Sequence, residues 1–106
     1  MIVIRHGSYG VIVQGHATPT GHIPEKEDIE ACAAITALSH QLIGGILQLT
    51  PRSDPVYELD HGLMTLSMDG LTQRARFLVQ AFVVGCLMVA EGYPDQVMVI
   101  DETETE

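Results

Sequence analysis

The chain has 106 residues, with 5 Lys plus Arg against 14 Asp plus Glu and a formal net charge of −9 with His neutral. That length supports one domain with its own core, and an acidic balance without any basic stripe excludes the electrostatic footprint of a nucleic-acid binder. The two cysteines, Cys32 and Cys86, stand far apart with no CxxC or Cys/His metal spacing, so no metal or other cofactor is expected and a reducing compartment suits them.

The chain begins Met1-Ile2-Val3-Ile4, without the charged, apolar and small-residue regions of a signal peptide, which predicts a cytoplasmic protein. Ile2-Val3-Ile4-Arg5 and Val11-Ile12-Val13-Gln14 are β-branched runs around Gly7-Ser8-Tyr9-Gly10, the pattern of a β-hairpin. Alternation along the second strand puts Val11, Val13 and Gly15 on one side and Ile12, Gln14 and His16 on the other. His16 thus falls at a strand end, where a sheet side chain meets a loop.

Thr18-Pro19-Thr20-Gly21-His22-Ile23-Pro24 admits neither a helix nor a central strand and reads as a mobile loop. From Asp28 the period becomes helical: Ile29, Cys32, Ile35/Thr36, Ser39, Ile43 and Ile46 form a stripe that Leu38, Leu42 and Leu49 widen. Asp28 is the expected N-cap, with Glu25, Glu27 and Glu30 around the positive helix end. Gly44-Gly45 weakens the helix or permits close packing against a neighbour, and Thr50-Pro51 through Asp54-Pro55 stops it.

A second hairpin follows, Val56 to Leu59 and Leu63 to Met68 around Asp60-His61-Gly62, with Met64, Leu66 and Met68 on its buried face. Thr72 caps a second helix that runs to about Glu91. Its half from Ala81 to Ala90 is wholly apolar but far shorter than the roughly 20 residues a bilayer needs, so it is expected to be a core helix, open to burial on both sides by a partner subunit. Gln96 to Ile100 forms a last strand. The fold expected is α+β, ββαββα(β), with antiparallel hairpins packed against two long helices. Residues 1–100 make the single domain and 101–106 a disordered acidic tail.

Cys32, about one turn into the first helix, has two readings. Unpaired N–H groups and the macrodipole at a helix start favour a thiolate, and His16 could then serve as its base, as in a cysteine protease. From spacing alone, a free cysteine followed by Ala33, Ala34 and Ile35 is more often a small buried hydrophobe. His22 is an alternative base, nearer in sequence but without a strand before it. His40 lies two helical turns beyond Cys32, ~12 Å along the axis. His6 and His61 fall near hairpin turns and read as surface residues, and Cys86 as core.

Val13-Gln14-Gly15-His16-Ala17, followed after the loop by Asp28-Ile29-Glu30-Ala31-Cys32-Ala33-Ala34-Ile35-Thr36, resembles the ribosomal-processing cysteine protease (Prp) family, and the likeness continues to Gly92-Tyr93-Pro94-Asp95. The resemblance implies a Cys-His dyad of Cys32 as nucleophile and His16 as base and acid, supported by Gly15, Asp28 and Thr36. It also implies a cytoplasmic homodimer acting on a protein substrate. That substrate would be the N-terminal extension of a large-subunit ribosomal protein or, for a phage-borne member, a capsid or scaffold protein, with neither nucleic acid nor membrane as partner. One extra residue separates Asp28 from Cys32 relative to the family's Asp-Ile-x-Cys, turning the aspartate by ~100° around the helix. The alternative is a non-catalytic dimeric protein that grips a peptide on the same scaffold.

Overall fold

A computed structural model of the chain describes residues 1–103. The elements run β1 (Ile2–Gly7), β2 (Gly10–Gln14), α1 (Lys26–Leu49), β3 (Tyr57–Asp60), β4 (Leu63–Ser67), α2 (Gln73–Gly92) and β5 (Val97–Asp101). They build a five-stranded sheet in the order β3-β4-β2-β1-β5. The α+β architecture and the strand-strand-helix pattern are those expected. β5 pairs with β1 in parallel while the other neighbours are antiparallel. A parallel neighbour requires the chain to cross the sheet first, and α2 makes that crossing.

Ile2 and Ile4, Val11 and Val13, Met64 and Leu66, and Val97 are the buried positions of alternating strands. With period two they share one face. Against it lie Ala31, Ile35, Leu42 and Ile46 of α1 and Val79, Phe82 and Cys86 of α2. Full burial of one such aliphatic side chain is worth about 1.5–3 kcal/mol.

Four expectations need correction. The helix carrying Cys32 starts earlier than the apolar period shows: its N-cap is Glu25, and Asp28 is N3 of a capping box. The carboxylate of Asp28 accepts the Glu25 N–H at 3.0 Å, and the first intrahelical bond, Ile29 N–H to the Glu25 carbonyl, is already in place. Toward its N-terminus the buried stripe of α1 is also rotated by about one residue, with Asp28 and Ala31 in place of Ile29 and Cys32, while Ile35, Ser39, Leu42, Ile43 and Ile46 are buried as expected. It runs Asp28, Ala31, Ile35, Ser39, Leu42/Ile43 and Ile46, and leaves Ile29 60% and Leu49 62% exposed.

The tight helix contact is not at the Gly44-Gly45 pair. A Cβ on Gly45 would stand 3.6 Å from Leu78 and one on Gly44 would meet nothing, whereas one on Gly85 would come within 3.1 Å of Leu38. At the C-terminal side, β5 includes Asp101, and the Glu102 N–H donates to the His6 carbonyl at 2.8 Å. The acidic run therefore begins inside the sheet, and residues 104–106 of the expected tail lie outside the described residues.

Thr72 caps α2 as expected, its side chain accepting from the Ala75 N–H at 3.3 Å. Both helices are long and apolar enough by length and composition to cross a membrane, yet in this fold each lays one face on the sheet. In the single chain the stretch from Ala81 to Ala90 is buried on that side only. Phe77, Val84, Leu87 and Met88 remain exposed on the other.

Candidate active site

Strand β2 ends at Gln14, and the two residues after it are held by main-chain contacts. Gly15 has φ +100°, and a Cβ there would stand 2.4 Å from the Met1 carbonyl oxygen. Only glycine accepts that conformation and that approach without strain. The Gly15 N–H donates to the Gly62 carbonyl at 3.1 Å, and the Met1 nitrogen donates to the His16 carbonyl at 2.6 Å. His16 is thereby held between β1 and the β3–β4 hairpin, with its side chain exposed.

Cys32 comes to the same place from α1. With Ala31 on the buried stripe, Cys32 is exposed, which removes the reading of a small buried hydrophobe. A cleft of about 90 Å³ is lined by both His16 and Cys32. A broader groove of about 950 Å³, bordered by Ala17, Ile29, Ala33 and Ala37, has the same two residues in its wall. Thr36 and His40, one and two turns after Cys32, line both cavities as well.

His22 lines neither. Its backbone N–H closes a turn onto the Pro19 carbonyl at 3.1 Å, and its side chain borders a separate depression with Asp28, Asp95 and Gln96. Asp28 is buried, and its second carboxylate oxygen accepts from the Gln96 amide at 3.4 Å. The aspartate thus ties the start of α1 to the approach to β5. The helical hydroxyl that bonds the carbonyl one turn back is that of Ser39, onto Ile35 at 2.8 Å. Thr36 makes no such bond among the described residues, so its hydroxyl is available to the cleft.

The longer helix changes what can activate the thiol. Cys32 is the seventh residue of α1, ~9 Å from its first residue at 1.5 Å per residue. The macrodipole's effect is confined to the first turn and the unpaired N–H groups end with Asp28, so neither the helix field nor those donors reach the sulfur. Any activation rests on a side chain, and His16 shares its cleft. Cys86 is the opposite case: fully buried in α2, its thiol is pushed up to about 12 by desolvation.

Sequence reasoning missed the Asp60-His61-Gly62 turn as part of this site. All three residues line the smaller cleft, and the His61 ring stands 5.4 Å from that of His16, centroid to centroid, tilted by 41°. Nothing in the local sequence marks this. It follows from the β2–β4 register, in which Gln14 pairs with Leu63 and carries the turn to the strand end before His16. No cluster of His, Cys, Asp or Glu among the described residues is arranged to hold a metal ion.

The fold is similar to solved structures. The ribosomal processing protease Prp from S. aureus, in complex with a covalently linked product peptide, superposes with a TM-score of 0.75 at 24% identity, covering 95% of this chain and 99% of that one. The same S. aureus protease in complex with a substrate peptide gives a TM-score of 0.75 at 20% identity over 94% and 96% of the two chains. SMU.848 from Streptococcus mutans gives 0.71 at 23% identity over 96% and 92%. At these identities the likeness establishes the fold. No protein-family model matches the chain, and no curated protein matches it by sequence.

Proposed function

We propose that this protein is a cysteine endopeptidase that removes the N-terminal extension of a large-subunit ribosomal protein, using Cys32 and His16 as its dyad. The observation that carries the reading is the exposed thiol of Cys32 in the wall of the cleft that also holds His16. It is joined by the likeness to a ribosomal processing protease whose structure holds a covalently linked product peptide. No observation favours a virion protein as the substrate.

The chemistry follows from those two side chains. His16 takes the thiol proton as Cys32 Sγ attacks the scissile carbonyl carbon, and the carbonyl π electrons move to oxygen. Collapse of the tetrahedral intermediate breaks the C–N bond, and His16 gives its proton to the departing amine. Water, deprotonated by His16, then cleaves the thioester and restores the thiol. The first-turn amides lie too far along α1 to stabilise the oxyanion, so the Thr36 hydroxyl, one turn after Cys32 and without a hydrogen-bond partner among the described residues, is the donor assigned to it. Asp28 and Gly15 support by holding the helix start and the strand end.

The reading includes a cytoplasmic homodimer. Phe77, Val84 and Met88, all exposed, recur at helical spacing on the outer side of α2 and would supply the apolar centre of its interface.

The test incubates the protein with the cognate precursor ribosomal protein and reads its N-terminus by mass spectrometry, with Cys32→Ala and His16→Ala alongside. Cleavage by the wild type alone is expected. Binding of the precursor without cleavage would replace the enzyme by the peptide-gripping alternative. Sedimentation of Phe77→Glu against wild type checks the dimer, which should dissociate.

A further inference from the structure

We infer that the Asp60-His61-Gly62 turn is a positioning device for the His16 imidazole, with Gly62 as the surface the ring rests on and His61 as its lateral neighbour. The inference rests on the proposed dyad and adds the element that orients its base. A base that must reach both sulfur and leaving amine needs a fixed ring, and in many hydrolases a hydrogen-bonded third side chain fixes it. Among the described residues no side chain hydrogen-bonds the His16 ring. Packing takes that role here.

A Cβ built on Gly62 would stand 2.6 Å from His16 Cε1 and 2.7 Å from Nε2, so the ring edge lies beside Gly62 and a methyl group there would displace it from this position. Gly62 is itself bonded to the residue before His16 through the Gly15 N–H, at 3.1 Å. One residue thus grips both the backbone and the ring of the histidine segment. His61 stands on the next side, with ring centroids 5.4 Å apart at 41°, a separation within the range over which aromatic rings interact. Asp60 fixes the turn that presents both, its carboxylate accepting the His61 N–H at 2.7 Å.

Gly62 also has φ +74°, so loss of stability on Gly62→Ala would not by itself show packing on His16. A double-mutant cycle separates the two causes. Thermal unfolding is measured for wild type, Gly62→Ala, His16→Ala and the double variant. The fall in melting temperature caused by Gly62→Ala should be clearly smaller where His16 is already alanine. An equal fall in both backgrounds would overturn the packing claim, leaving a turn glycine only.

Positioning is read from the alkylation rate of Cys32 by iodoacetamide, which needs no peptide substrate. His61→Ala should slow it by about two- to tenfold, the range an aromatic pair's contribution converts to, and His61→Phe should restore most of the loss by keeping a ring there. Unchanged rates in the His61 variants, where His16→Ala does slow the reaction, would overturn the role of His61 and leave the dyad standing. If His16→Ala leaves the rate unchanged, the dyad fails and the positioning role with it.

Discussion

Asp28 and Glu25 cap each other across the first turn of α1, with the aspartate carboxylate accepting the Glu25 N–H at 3.0 Å. The second carboxylate oxygen is held by the Gln96 amide at 3.4 Å. An aspartate one helical turn before the proposed nucleophile invites a catalytic reading, but both of its oxygens are engaged in anchoring the helix.

Asp28→Ala should therefore act on stability. Loss of a cap of this kind costs about 1 kcal/mol, measurable by urea unfolding, while alkylation of Cys32 should stay close to the wild-type rate. A fall in alkylation as deep as that of His16→Ala would move Asp28 into the catalytic group.

Gly15→Ala should damage both stability and the site. The added Cβ meets the Met1 carbonyl oxygen at 2.4 Å in a backbone conformation with φ +100°. Strain of this kind costs about 1–3 kcal/mol, and relief would shift the strand end that carries His16. Peptide cleavage should fall together with the melting temperature. A stable, fully active Gly15→Ala would refute the close approach.

The two cysteines should label differently. Cys32 is exposed and Cys86 buried, so iodoacetamide should modify only the first in the native protein and both in urea, read by peptide mass mapping. Cys86 also predicts an alkaline limb of stability. Its thiol is raised from 9.0 to about 12 in the fold, so the folded state keeps a proton that the unfolded chain releases. Its contribution is complete below about pH 9 and is lost as pH rises toward 12, by up to ~4 kcal/mol at 1.36 kcal/mol per unit. Cys86→Ala should flatten that limb in pH-dependent urea unfolding.

Gly44→Ala should stabilise α1, since its Cβ meets nothing and alanine is the better helix former by about 1 kcal/mol. Gly85→Ala gains the same propensity in α2 but forces Leu38 back from 3.1 Å, and its melting temperature should fall below that of Gly44→Ala. The reverse order would show that the two helices have slack where they cross.

The sequence by itself determined the element order, the hairpins and the cap of α2, because periodicity and turn residues act over a few neighbours. It also singled out His16 and Cys32, through a strand end, an expected helix start and a family resemblance, but the exposure of Cys32 was visible only in the structure. It misjudged where α1 begins: Glu25 to Asp28 carry no apolar period, and a capping box can be recognised only once the main chain shows which residue is the cap. That shift takes Cys32 away from the helix end, to the seventh residue of α1. The parallel seating of β5, the Leu38 contact at Gly85 and the turn of His61 and Gly62 beside His16 were decided by tertiary structure alone. Each depends on residues brought together by sheet register or helix crossing, and separations of that kind leave no pattern along the chain.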